Sequence, residues 1–409
     1  MKDSGLLARY RESSLGVRIL LFMALGVVAG LIWGPRTRLV EPVGEIFIRL
    51  LMMSAVPLVF FNLLAGLSAL DDVRRFGRLA GKVLAYFVCT TGFAVVLGLV
   101  AASVLRPGEG MRTSESVGDT VGAVPSLAQV VIDMVPANVV EAFATGRIGQ
   151  VVVFAVLLGL AGLTLPAERR ATLSAVFTTM ADLLRKLVEL ILRLAPLGIG
   201  ALAATTVGVH GSGIFGSLGK FLLGVWVAHF VMAAVYLILV AAFVGDSPLR
   251  FVRTTVPLYA TAAATCSSLA SLVVAFEMAE RRLGVPRSIY AFTLPLGIQL
   301  NKGGTAIMLG AVLLFTAQAA GVRFELGALV GVATIGLLLT AGSPGIPGGG
   351  LVVALMYVQA FDLPVETAAM VGGIYRLVDV GNTTVNVMGT LVGTYIVGHS
   401  EGVRETVVT

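Results

Sequence analysis

Long apolar stretches dominate this chain and leave few folds open. Runs near residues 16–34, 46–70, 80–105, 126–166, 171–208, 215–245, 286–320 and 365–398 each reach the roughly 20 residues a helix needs to cross a ~30 Å hydrocarbon core. Lipid offers the backbone no hydrogen-bond partners, so segments of this length cross it as helices. Composition agrees, with 57% hydrophobic and 13% charged residues and a mean hydropathy of +0.95, outside the range of soluble domains. The first run follows the mixed-charge segment MKDSGLLARYRESSLGVR and precedes no small-residue cleavage site, so it reads as a span and not as a cleaved signal.

Charge sorts the connections. Arg9, Arg11 and Arg18, then Arg74, Arg75, Arg78 and Lys82, then Arg169 and Arg170, Arg250 and Arg253, and Arg281, Arg282 and Arg287 fall at alternating ends, with fewer basic residues between. The positive-inside rule then places both termini in the cytoplasm of a bacterial inner-membrane protein. The formal charge of +6 is accounted for by this topology and calls for no nucleic-acid partner. Cys89, Cys266, His210, His229 and His399 are scattered, so neither a disulfide framework nor a metal site follows. GSGIFG at 211–216 fits a dinucleotide fingerprint in letters only, because it joins two spans and follows no strand. The Gly- and Ser-rich segment 106–126 reads as an external loop.

Two apolar stretches are interrupted. PLYATAAATCSSLASLVVAF, 257–276, has Thr265, Cys266, Ser267 and Ser268 at its middle; LLLTAGSPGIPGGGLVVALMY, 337–357, has two prolines and five glycines at its middle. Neither sustains one helix. Each reads as a re-entrant hairpin, the first at about 252–280 and the second at about 326–361, and a hairpin keeps Arg253 and the Arg281 cluster on one side. Thr265 to Asn301 and Ser343 to Asp379 are both 36 positions apart, a hint of inverted repeats, the architecture that puts a transporter's site at the bilayer midplane.

The last span carries Asp379, Asn382, Thr383, Asn386 and Thr390 on one face of a 3.6-residue helix. An ionisable residue inside a span marks a functional site by default, although interhelical glue among Gly381, Gly389 and Gly393 is the alternative. Lys302 lies about 15 residues from either end of its apolar run, roughly 22 Å of helix. That is too far for the side chain to snorkel to the interface.

PLVFFNLLAGL (57–67), FTLPLGIQLNKGGTA (292–306), LFTAQAAG (314–321), GIPGGG (345–350) and VDVGNTTVNVMGT (378–390) resemble, in order and spacing, segments of the glutamate transporter family, the dicarboxylate/amino acid:cation symporters. The resemblance implies an all-α polytopic membrane protein of eight transmembrane helices and two re-entrant hairpins, working as an elevator within a homotrimer among membrane lipids. It implies a scaffold from residues 1–70 and 126–215 and a transport domain from 71–125 and 216–409. It implies that Asp379 receives a substrate ammonium, Asn386 the α-carboxylate, and that Thr383 and Thr305 line the pocket. Cys266, Ser267 and Ser268 match the first hairpin's serine-rich tip, and Ile346 and Gly350 match the gate of the second. Candidate cation residues are Thr90, Thr91, Asn301, Thr340, Ser343 and Thr390. No cofactor or enzymatic activity is implied.

This chain departs from the family at telling positions. Acidic-substrate members carry arginine at the position of Asn382, so a neutral α-amino acid is expected here. The family motif NMDGT becomes Asn301, Lys302, Gly303, Gly304 and Thr305, and a further sodium-binding aspartate becomes Thr390. Asp379 is the one acidic residue of 289–398 left inside a span. An ammonium repels sodium, and sodium prefers charged oxygen ligands, so sodium-independent transport is expected. Two versions stand: Lys302 acts as a tethered cation, or it releases its proton during the cycle. Proton- or sodium-coupled symport of acidic amino acids or dicarboxylates is the alternative, and an anion channel a more distant one. An intramembrane hydrolase using Ser267 or Cys266 lacks an expected activating histidine.

Overall fold

The computed structural model describes residues 15–68, 77–111, 132, 135–145, 147–211, 214–343, 345 and 347–401. Among these the chain is helical with no strand. Helices α1 (Leu15–Trp33), α2 (Glu41–Ser68), α3 (Arg78–Leu105), α4 (Val139–Ala144), α5 (Ile148–Leu163), α6 (Ala167–Leu192), α7 (Ala195–His210) and α8 (Ile214–Val244) precede the hairpins. Four helical stretches are long and apolar enough to cross a membrane, and a fifth is if the bent pair α6–α7 counts as one. This is a polytopic all-α membrane protein, as expected.

Both hairpins form. The first consists of α9 (Pro248–Thr265) and α10 (Ser268–Glu277), the second of α13 (Leu326–Gly342) and α14 (Gly349–Gln359). Cys266 ends α9 in a left-handed conformation, φ 50°. Ser267 then caps α10, its hydroxyl accepting from the Ala270 N–H at 3.2 Å, which satisfies a donor that a helix start leaves bare.

Four expected spans differ in detail. The run 286–320 is not one helix: α11 (Arg287–Leu300) stops at Asn301 and Lys302, and α12 (Gly303–Ala319) begins after them. The distance along a continuous helix therefore does not apply to Lys302, which stands at a break where backbone groups need partners. The run 171–208 bends by 55° between α6 and α7. Within 126–166 the described helices are only α4 and α5. The segment 106–126 lies mostly outside the described residues. The last span opens with α15 (Val365–Ala369) and a 3₁₀ turn before α16 (Tyr375–Ser400).

Packing divides the helices. α7 lies along α1, and α2 packs on α5, α6 and α7. Separately, α3, α8, α11, α12 and α16 pack together with both hairpins. All of α12 except Gln318 is buried, as expected of a helix apolar all round. Gly310 and Gly98 let α12 and α3 touch backbone to backbone, since a Cβ on either would run into the facing carbonyl of Val95 or Ile307. The second hairpin also meets the first group, with Gly342 against Val59 of α2 and Gly348 against Leu192 of α6.

Candidate functional site

The polar stripe of α16 faces the break between α11 and α12, and nearly every side chain on it has a partner. Asn386 is buried, and its Oδ1 accepts from the backbone N–H groups of Gly304 (2.8 Å) and Thr305 (3.3 Å) while its Nδ2 donates to the Thr305 hydroxyl at 3.1 Å. It thereby caps the start of α12, whose first N–H groups have no intrahelical acceptor. Asp379 is also buried; one oxygen accepts from the Tyr375 hydroxyl at 3.1 Å and the other from the Gly348 N–H at 3.2 Å. Gly348 stands at the start of α14 with φ 82°, so a carboxylate meets the positive end of a half-helix.

The hairpin tips close over this region. The Gly345 carbonyl accepts from the Ser267 hydroxyl (3.1 Å) and from the Leu269 N–H (3.3 Å), tying one tip to the other. Cys266 and Ser268 are buried beside Ser267, and Thr383 is buried on α16. A side chain at Gly350 would press on the Tyr375 hydroxyl, with Thr305 and Met308 next to it. Ile346 lies outside the described residues. Arg376, the other cation on α16, donates to the Ala264 carbonyl at 3.1 Å; it anchors the end of α9 and so takes the structural role.

At the far end of the stripe the groups are neutral. The Thr91 hydroxyl donates to Asn301 Oδ1 at 3.3 Å, Asn301 Nδ2 approaches the Thr390 hydroxyl at 3.5 Å, and Thr390 donates to the Asn386 carbonyl at 3.0 Å. Thr90 and Thr340 instead donate to carbonyls of their own helices, Tyr86 and Leu337, and Ser343 is buried at the end of α13. The protons of Thr90 and Thr340 are therefore spent within their helices and not on the Thr91–Asn301–Thr390 chain. Lys302 is 1% exposed. Its Nζ lies 3.3 Å from where a Cβ on Gly345 would sit, beneath the joined tips, with Asp379 and Arg185 of α6 the charges acting on it.

One residue to which the sequence alone assigns no role joins this site. His229 on α8 is 2% exposed, and its Nε2 faces Asn382 Oδ1 at 3.0 Å and the Gly304 carbonyl at 3.4 Å. The Asn382 amide is thus held on both sides, since its Nδ2 donates to Met308 Sδ at 3.3 Å. This histidine belongs to the 215–245 span and not to the first hairpin, and its described partners are Asn382 and Gly304 rather than Ser267 or Cys266. The signal available in the sequence is an ionisable residue inside a span; a partner 153 positions away leaves none.

The sequence pattern of the Sodium:dicarboxylate symporter family matches residues 15–400. The chain belongs to this family. It is 30% identical over 407 residues to the proton/glutamate-aspartate symporter of Escherichia coli (strain K12), covering 95% of this chain and 93% of that one. It is 28% identical over 396 residues to the C4-dicarboxylate transport protein of Bacillus subtilis (strain 168), covering 95% and 94%. The proton/sodium-glutamate symport protein of Bacillus caldotenax is 28% identical over 404 residues, with 96% of each chain covered. This family member is accordingly a secondary transporter of the bacterial inner membrane and not an enzyme.

The family's name includes sodium, and the oxygens at the far end of the stripe are those a cation would meet. The oxygens of Thr91, Asn301 and Thr390 are uncharged and engaged with one another. A Cβ on Gly303 would meet the Tyr236 hydroxyl at 2.6 Å, so the space an acidic side chain would enter there is filled. No group of three or more His, Cys, Asp or Glu residues that could hold a metal ion occurs among those described.

Proposed function

We propose that this transporter carries a neutral α-amino acid without sodium, with Asp379 receiving the ammonium group. A buried carboxylate needs a compensating charge; the hydrogen-bond partners of Asp379, Tyr375 and Gly348, are neutral donors, and the two cations that act on it, Arg376 and Lys302, are not hydrogen-bonded to it among the described residues. The substrate carboxylate is received by Asn386, whose Nδ2 keeps one hydrogen beyond the one given to Thr305, and by the start of α14. Lys302 stands in for a bound sodium ion as a tethered cation and keeps the hairpin tips competent to close.

The observation that carries this reading is the state of Asn382. It is neutral, and both ends of its amide are engaged by His229 and Met308. A second substrate carboxylate at this wall would be buried without a cation, at a cost of several kcal/mol. Cargo moves by an elevator motion: residues 1–70 and 126–215 form the fixed scaffold of a homotrimer, and 71–125 and 216–409 move, with both termini in the cytoplasm.

The names of the relatives favour a second reading, proton- or sodium-coupled symport of glutamate, aspartate or C4-dicarboxylates. Asp379 weighs against a plain dicarboxylate, which brings no ammonium to offset it. Uptake of labelled neutral amino acids, acidic amino acids and succinate into proteoliposomes separates the two. Saturable uptake of neutral amino acids that succinate does not compete supports the proposal, and saturable uptake of glutamate or succinate alone overturns it.

A further inference from the structure

His229 is the one described histidine buried among the spans of the site, and the transport scheme above uses it only as a neighbour of Asn382. Its Nε2 faces two acceptors on different helices, the Asn382 side-chain oxygen on α16 and the Gly304 carbonyl on α12. Only a nitrogen that carries a proton satisfies either, so Nε2 is the N–H and Nδ1 is the bare nitrogen. Nδ1 is buried with no hydrogen-bond partner among the described residues. The ring is held by its surroundings: Trp226 meets it edge-on at 5.9 Å between centroids, and Gly381 leaves the room Nδ1 occupies, since a Cβ there would collide with it.

We propose that His229 is a positioning residue that sets substrate selectivity by locking the side-chain amide of Asn382. The terminal torsion of an asparagine is broad and roughly two-fold, so a free amide at this wall turns either its oxygen or its NH₂ toward the cargo. The His229 N–H draws the oxygen to α8, and Met308 Sδ receives the NH₂ on the other side. A fixed amide has its oxygen turned to α8 and one of its two N–H groups on Met308, which leaves an incoming carboxylate at most one donor. A released one offers two N–H groups, enough to admit an acidic side chain. Selectivity against acidic cargo then comes from two residues on different helices, and Asn382 supplies only one of them. This inference rests on Asn382 lining the amino-acid site, as proposed above.

The test is the ratio of KM for an acidic to a neutral amino acid, measured in proteoliposomes for the unmodified protein, His229→Leu, His229→Met and His229→Gln. Leucine and methionine have no N–H, and the ratio falls by about tenfold or more, the range in which a lost polar contact alters discrimination. Glutamine restores an N–H and returns the ratio toward its original value. In an Asn382→Leu background, His229→Leu shifts the ratio no further, because no amide remains to be held. An unchanged ratio in both His229→Leu and His229→Met overturns the inference, as does an equal shift in the Asn382→Leu background. Should His229→Leu fail to fold, the methionine and glutamine pair decides alone. An unmodified protein that prefers acidic cargo contradicts the functional proposal instead, and the response of its ratio to His229 is still read separately.

Discussion

The two ends of one helix face have taken opposite electrostatic solutions. At the start of α16, Asp379 keeps a buried carboxylate and surrounds it with the Tyr375 hydroxyl and the Gly348 N–H. Eleven positions later, about 16 Å along the axis, Thr390 stands among neutral oxygens, while the buried Lys302 of the adjoining helix break has its Nζ beneath the joined hairpin tips. In the function proposed above, a carboxylate is retained where its counter-charge arrives and departs with cargo, and it is absent at Thr390 because Lys302 supplies a positive charge that is covalently part of the chain. On that proposal, charge compensation and ion coupling are separable along one helix.

Replacing the acid breaks the first half of this contrast. Asp379→Asn lowers uptake of any amino acid by about two orders of magnitude or more, the scale of removing one partner of a buried ion pair; initial rates in proteoliposomes measure it. Lys302→Met attacks the second half and has effects of opposite sign. A buried lysine costs about 2.5–3.5 kcal/mol on insertion scales, so this variant resists denaturation in detergent more strongly, by up to about that amount. Its transport nonetheless falls, by roughly tenfold given the charge it removes, and it gains no sodium dependence.

Gly303→Asp sharpens the distinction between a missing ligand and a missing site. The new side chain meets the Tyr236 hydroxyl, so it costs about 1–3 kcal/mol of stability by overpacking and leaves uptake insensitive to sodium. Thermal unfolding and uptake with and without sodium report both parts. The smallest effect lies at the end of α16 beyond the membrane. There Lys82 and Arg78 of α3 hydrogen-bond Glu401 and hold its carboxyl below the usual glutamate range. A lowered folded value stabilises above the ordinary glutamate range and is lost as pH falls through the lowered value. Solvent screens this pair, so a pH titration of unfolding shows only a slight difference between the unmodified protein and Glu401→Gln.

The hairpins are legible in the sequence because interruptions such as Thr265–Ser268 and Gly345–Gly350 free backbone groups that lipid cannot satisfy, so the chain there must turn within protein. The stripe from Asp379 to Thr390 is legible from its helical period. The break at Asn301 and Lys302 is hidden, because Gly303 and Gly304 sit in an otherwise continuous apolar run and no proline marks the boundary. The bend between α6 and α7 does carry a local signal, Pro196 in the first turn of α7, inside a run that is otherwise long enough to read as one span. His229 escapes notice for a different reason: its partners, Gly304 and Asn382, are 75 and 153 positions away, and no local pattern joins them. The rule that singles out Lys302 and Asp379, that an ionisable residue inside a span marks a site, applies equally to His229. Arg376 shows the reverse limit, since only the fold reveals that it reaches the Ala264 carbonyl.

The most direct measurement takes the unmodified protein in proteoliposomes and imposes sodium and pH gradients separately during uptake of one labelled neutral amino acid. Lys302 as a tethered cation predicts initial rates that are the same with and without an inward sodium gradient. Uptake that requires sodium, and that is lost when choline replaces it, contradicts the account.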